Sequence, residues 1–322
     1  MTSLSTISPR GLDVVSFGEA LIDLIEDGGT YTAHLGGAPT NVAIVAAKLG
    51  ARVGLISAVG NDRFGKFIID QLKEHKVDYR GVRCHRKRGT SLAFIFPNEA
   101  ENSKRFIFYR DADLYFGHEQ IKSVLSPLPS VFYFGSLSLT DRNVLSTLKN
   151  TQKIYNHQGI VVFDLNIRET LWPSKQVLRK TLLDAIKQAD IIKADKHEAF
   201  LMSGHLDPER ASESLLYNNS QICLITMGEE GCFYRVNDIS GFVASIRIDT
   251  SKGDKVGTGD AFVGALCANI AKNVNYFRQD ILEHILLRAN VAGAITATVR
   301  GAIAQNLDNE TVDYILLQME KS

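Results

Sequence analysis

The chain has 322 residues, 45% of them hydrophobic and 22% charged, the proportions of a soluble globular protein with a substantial core. Lys plus Arg and Asp plus Glu balance at 36 each, so no bulk attraction to nucleic acid or to a membrane surface is expected, and an anionic ligand must be met by local groups. No run approaches the roughly 18 apolar residues of a membrane span. The stretch 1–11 lacks the apolar core of a signal peptide, and the four cysteines form no CxxC pair, which points to a cytoplasmic protein with free thiols.

In chain order, Val14 to Phe17 reads as a strand ending at Gly18, with Asp23 following in a Glu-Ala-Leu-Ile-Asp run. Gly36, Gly37 and Asn41 then lead into an alanine-rich helix closed by Gly50. The glycines allow close approach of backbone to a ligand, and Asn41 offers both a donor and an acceptor; a capped helix with a flexible entry is the plainer alternative. Val53 to Val59 is a strand, Gly60 to Gly65 a turn and Lys66 to His75 a helix, an alternation that predicts a parallel sheet with covering helices. Thr90 to Phe96 and Lys104 to Tyr109 break the alternation as a hairpin joined by polar residues 97–103. With Glu26 to His34 it predicts a small sheet over the site.

Alternation resumes with strand Val131 to Phe134, helix Thr140 to Gln158, and strand Ile160 to Phe163 ending in Asp164, Asn166 and Arg168. Polar residues at strand C-terminal ends are where α/β proteins place ligands. The strand Ala189 to Lys193 gives way to Asp195 and Glu198 at the start of a helix. Strand Gln221 to Ile225 ends in Thr226, Gly228 and Gly231, and Cys232 to Val236 returns as a strand. Gly257-Thr258-Gly259-Asp260 opens a helix whose Phe262, Leu266 and Ile270 recur four apart, and Leu282 to Ala297 is a final long apolar helix. A glycine turn at a helix N-terminus presents free amides to an anion, above all a phosphate. The alternative there is a tight turn in which Asp260 only caps the helix.

Taken together and in this order, Gly36–Asn41, Asp164/Asn166/Arg168, Asp195…Glu198, Thr226–Gly228 and Gly257–Asp260 resemble the PfkB carbohydrate kinases, with the ribokinase-like fold. Gly36 to Asn41, Phe108-Tyr109-Arg110 with Asp113, and Asp164 to Arg168 before Leu171-Trp172-Pro173 are most similar to the fructokinase branch. The resemblance implies one three-layer α/β/α kinase domain over 12–305, a small antiparallel β-lid from about 25–35 and 88–112, and terminal extensions 1–11 and 306–322. It implies ATP-dependent phosphorylation of a sugar hydroxymethyl group, with ATP and Mg²⁺ as cofactors and a homodimer formed through the lid.

By that resemblance Asp260 is the base, kept ionised by its helix terminus, and Gly257, Thr258 and Gly259 form the anion hole with Arg168 as a phosphate clamp. Asp23, Gly36, Gly37, Asn41, Arg110, Asp164 and Asn166 would hold the sugar. Lys193, Thr226, Gly228, Gly231, Gly257, Gly259 and Asn290 would hold the nucleotide, and Asp195 and Glu198 would organise Mg²⁺ indirectly. The chain departs from the family at Asp254-Lys255-Val256, which leaves a K⁺ site at Asp254 open. The neutral Ala38-Pro39-Thr40 argues against a phosphosugar acceptor. The resemblance to the fructokinase branch implies fructose, with ribose, aminoimidazole riboside and 2-keto-3-deoxygluconate as rivals within the family. A non-catalytic sugar-binding regulator is the alternative of another class. No GxGxxG follows the first strand, which disfavours an NAD-dependent dehydrogenase.

Overall fold

The computed structural model describes residues 11–98, 103–155, 158–217, 221–251 and 253–319. The strands are β1 (Val14–Phe17), β2 (Leu21–Asp27), β3 (Thr30–Gly36), β4 (Val53–Gly60), β5 (Val82–His85), β6 (Ser91–Asn98), β7 (Ser103–Tyr109), β8 (Val131–Gly135), β9 (Ile160–Asp164), β10 (Ile191–Asp195), β11 (Ile222–Thr226), β12 (Gly231–Val236) and β13 (Ile239–Ala244). The helices are α1 (Ala38–Lys48), α2 (Arg63–Glu74), α3 (His118–Val124), α4 (Arg142–Tyr155), α5 (Lys175–Ile186), α6 (Lys196–Ser203), α7 (Pro208–Leu215), α8 (Thr258–Ile270), α9 (Gln279–Thr296) and α10 (Asn309–Met319).

The main sheet runs β13-β12-β11-β10-β9-β8-β1-β4-β5, parallel except where β12 and β13 turn back at one edge. Its strands are apolar on both faces because both are covered. Along β8, Val131 and Tyr133 enter the core shared with α1, α8 and α9, while Phe132 and Phe134 enter the other, shared with α5 and α7. That period of two puts one core on each side of the sheet, the three-layer architecture expected.

The lid is a second sheet, β3-β2-β6-β7. Its hairpins β2/β3 and β6/β7 are antiparallel as predicted, but β2 and β6 pair parallel, so the sheet is mixed. The lid strand β2 starts at Leu21, ahead of the Glu26 to His34 stretch expected to join the lid, and so carries Asp23 within a strand. Helix α2 starts earlier than predicted because Asp62, its N-cap, accepts a hydrogen bond from the Gly65 amide. Helix α4 starts at Arg142, two residues after the expected Thr140; residues 156–157 near its expected end at Gln158 and most of the lid turn at 97–103 lie outside those described, and Gln158 itself is not helical. Beyond the predicted last helix, α10 buries Val312 and Leu316 in the α1/α8/α9 core.

Candidate active site

Two helices without side-chain caps meet at the C-terminal end of the sheet. Helix α1 starts at Gly37 and α8 at Gly257; neither has a side chain accepting from its first turn. The first backbone bond is Asn41 N to Gly37 O in α1 and Ala261 N to Gly257 O in α8, at 2.9 and 2.8 Å. The amides of Thr258, Gly259 and Asp260 therefore lack intrahelical acceptors, and both positive helix poles face one site. The two helices are joined there by Asn41, whose Nδ2 donates to Asp260 Oδ2 at 2.8 Å.

Backbone geometry enforces this meeting. Gly37 has φ +95°, and a Cβ on it would lie 2.5 Å from the Glu19 carbonyl oxygen. Gly257 has φ +74°, a left-handed conformation that turns the chain sharply into α8. Gly36 leaves room for Asp23: a Cβ there would fall 2.4 Å from its carboxylate. The predicted sugar loop is thus built around the buried Asp23.

Asp164, Lys193 and Glu198 line the adjacent strand ends. Lys193 Nζ lies 3.1 Å from Asp164 Oδ1, an ion-pair distance, although neither Asp164 oxygen has a well-aligned hydrogen bond among the described residues. The same ammonium is 3.4 Å from where a Cβ on Gly259 would sit, which places it beside the α8 turn. Burial raises Asp164 above the ordinary carboxylate range. Burial opposes the charge on Lys193, yet Asp164, Glu198 and Asp195 hold its ionisation above the usual lysine range. Burial also raises Asp260, against the pull of the Asn41 hydrogen bond, Lys193 and Arg168. Removal from water thus works against the ionised form that the helix terminus favours.

Other predicted residues have different surroundings. Arg168 stacks its guanidinium 5.0 Å from the Phe106 ring centroid, linking the site to the lid. Arg110 donates to Asp113, to Leu137 O and to Thr140 Oγ1, so its guanidinium braces the lid base. Asn166 has φ +33°, and its carbonyl accepts from Ser136 Oγ at 3.2 Å. Asn290 donates through Nδ2 to Val243 O and Ala244 O, tying α9 to β13. Thr226 Oγ1 donates to Ala194 O at 3.3 Å. Gly228 (φ +61°) has open space before it, whereas a Cβ on Gly231 would meet Val243 O at 2.2 Å. Of that turn, Gly228 is the part open to a ligand.

Glu198 accepts from the Ile167 and Asp195 amides at 2.6 and 2.8 Å, and Asp195 caps α6 by accepting from the Glu198 amide. Among the described residues no group of three His, Cys, Asp or Glu side chains is placed to hold an ion. The unaligned Asp164 oxygens and these carboxylates do suit the outer sphere of Mg²⁺ carried by nucleotide phosphates, since that ion keeps most of its waters. Asp254 instead accepts from Val256 N and Gly301 N at 2.9 and 3.0 Å, which suits a loop brace. Lys255 pairs with Glu229 at 2.7 Å on the surface.

Sequence reasoning passed over Glu19. It is 3% exposed, its Oε2 has no partner among the described residues, and burial, against the attraction of Arg110, raises it to about 7. The available signal was a charged residue directly after a buried strand and its glycine.

The family model described as pfkB family carbohydrate kinase matches residues 12–309. Probable fructokinase-2 of Arabidopsis thaliana is 35% identical over 327 residues, covering 97% of this chain and 98% of the relative. A fructokinase from Xylella fastidiosa with bound ATP superposes with a TM-score of 0.86 at 26% identity, over 95% of this chain and 98% of that one. A fructokinase from Vibrio cholerae O395 with fructose, ADP and calcium ion superposes with a TM-score of 0.83 at 27% identity, over 94% and 98%.

Proposed function

The chain belongs to the pfkB family of carbohydrate kinases, and on that premise we propose that it transfers the γ-phosphoryl group of ATP to the 6-hydroxymethyl group of D-fructose. The observation that carries this reading is the convergence of two helix N-termini without side-chain caps on one buried carboxylate, Asp260. Phosphoryl transfer needs little more than positioning and a place for negative charge, which such amides supply. The fructose assignment rests on the relatives, which include an Arabidopsis probable fructokinase and a Vibrio enzyme holding fructose and ADP.

In this mechanism Asp23, the Gly36–Gly37 backbone and Asn41 hold the sugar, with Asp164 and Asn166 at the adjoining strand end. Asn41 fixes the Asp260 carboxylate, whose oxygen accepts the proton of the acceptor hydroxyl. The freed oxygen attacks the γ-phosphorus, and ADP departs with the electron pair of the broken P–O bond. The amides of the Gly257–Asp260 turn hold the charge on the moving group, and Arg168 and Lys193 add two cations. Gly228 and the Thr226 turn receive the nucleotide. Mg²⁺, when bound with ATP, neutralises phosphate charge, and Asp164, Asp195 and Glu198 would orient its water shell. Asp254 accepts one amide on each carboxylate oxygen, and each oxygen has a second lone pair with which it would join backbone carbonyls around a monovalent cation.

Among the described residues no helix is long and apolar enough to cross a membrane. We place the enzyme in the cytoplasm, where three buried free cysteines would stay reduced. We also assign the outer lid face, with Tyr31, Ile107 and Tyr109 exposed beside Phe94, as the contact with a second copy. A coupled ATP assay over fructose, ribose, aminoimidazole riboside and 2-keto-3-deoxygluconate tests the substrate. The highest kcat/KM is expected on fructose, and a higher value on any other sugar overturns that assignment.

A further inference from the structure

A cleft of about 590 Å³ opens on the flank of the molecule, between the β3 edge of the lid, α2 and the loop 298–306. The Gly257–Asp260 turn lies behind it. Its walls include Ala33 to Leu35, which lead into the sugar loop, and the 298–306 loop, which packs against the Gly257 turn. A Cβ on Gly257 would lie 2.4 Å from the Ala302 side chain, so the anion-binding turn rests directly against the cleft wall. Asp254 ties that turn to the same wall through the Val256 and Gly301 amides. On the lid side, His34 stands two residues before Gly36, and its Nδ1 is 2.9 Å from the position of a Cβ on Gly301.

The lining is rich in hydrogen-bond donors. Arg300, His34 and the carboxamides of Gln71, Gln305 and Asn306 surround an apolar patch that includes Phe67, and no Asp or Glu lines the space. Three acids bond to lining residues, each engaged: Asp27 pairs with Arg300 at 2.8 Å, Glu74 accepts from Gln71 at 2.8 Å, and Asp254 accepts from the Gly301 and Val256 amides. The Arg300–Asp27 pair is 70% and 61% exposed, a class of ion pair that contributes little in water, so the guanidinium can turn to a stronger anion. A guanidinium fork with neighbouring amide and imidazole donors matches a tetrahedral oxyanion, and the volume suits a small metabolite.

We propose that this cleft is an effector site for a small phosphate-bearing anion, free phosphate or a phosphate monoester, whose binding alters substrate affinity at the phosphoryl-transfer centre. The coupling route is short: the occupant touches the loop that supports Gly257 and the strand that ends in the sugar loop. By reciprocity, substrate at the centre changes the affinity of the cleft by the same factor. The binding half of the proposal is independent of which sugar is phosphorylated.

The test uses the full-length protein with Phe67→Trp as a local fluorescence reporter, titrated with inorganic phosphate and, separately, with glucose 6-phosphate. Saturable quenching is expected with at least one, the tighter ligand distinguishing free phosphate from ester. Arg300→Gln in the reporter background should weaken binding about tenfold, the loss of one charged hydrogen-bonding group. Gln305→Glu, an exposed change that adds a repelling charge, should do the same. Unaltered affinity in both variants would place the anion at the Gly257 turn and overturn the proposal, as would a flat titration. With the reporter absent, the anion should change KM for sugar or ATP in the wild type and not in Arg300→Gln. Equal KM values with and without anion would remove the coupling.

Discussion

At Asp260 the chemistry depends on a balance between burial and local donors. Asp260→Asn keeps the shape and the Asn41 contact but cannot accept a proton. Turnover should fall by about 10²–10⁴-fold, the usual contribution of a general base, while sugar binding followed by calorimetry stays near the wild-type value. Because burial raises Asp260, the acid limb of the kcat/KM profile should lie above the ordinary carboxylate range, with activity lost as pH falls through it. Glu19 provides a separate measurement. Its folded-state value of about 7 exceeds the ordinary 4.5, so between those values the folded chain retains a proton that the unfolded chain releases. Its contribution is therefore most favourable below pH 4.5 and is lost as pH rises through 7. Glu19→Gln removes this slope and should raise unfolding stability by about 3 kcal/mol at pH 8 relative to wild type, measured by urea denaturation, with little difference at pH 4.

Among the elements, α1 and α8 carry the most consequence, since their first turns form the site. A methyl group at Gly37 would require a left-handed backbone and would press on the Glu19 carbonyl. Gly37→Ala should cost roughly 1–3 kcal/mol of stability and raise KM for the sugar, seen in the urea midpoint and in initial rates. Both helix starts were legible because each combines glycines with an apolar stretch of helical spacing. The strand β2 was less so. Leu21 to Asp27 carries its apolar residues in adjacent pairs and lacks the alternation of a strand, and its pairing with β6 joins residues about 70 apart, which local pattern does not reveal. The roles of Arg110 and Asn290 were hidden for the same reason: Leu137, Thr140, Val243 and Ala244, which accept from them, come close only after folding.

For the whole molecule, the outer lid face offers the clearest test of assembly. Ile107 and Tyr109 are exposed on one strand beside an aromatic cluster of Tyr31, Phe94 and Phe96. Ile107→Lys should convert a dimer to a monomer in light scattering after size exclusion while leaving circular dichroism unchanged. A monomeric wild type would remove the lid–lid assembly. The strand–helix alternation through β1, β4, β8, β9, β10 and β11, the covering of the main sheet and the glycine turns at α1 and α8 were readable from the chain, because hydrophobic period and backbone freedom are local properties, whereas β5, β13, α3 and α10 were not picked out. Four features could not be read that way: the raised pKa of Asp260, the Lys193–Asp164 pair beside Gly259, the bracing role of Asp254 and the cleft behind Gly257. Each depends on distance, burial and the direction of side chains brought from remote parts of the chain, and those quantities exist only once the layers have packed.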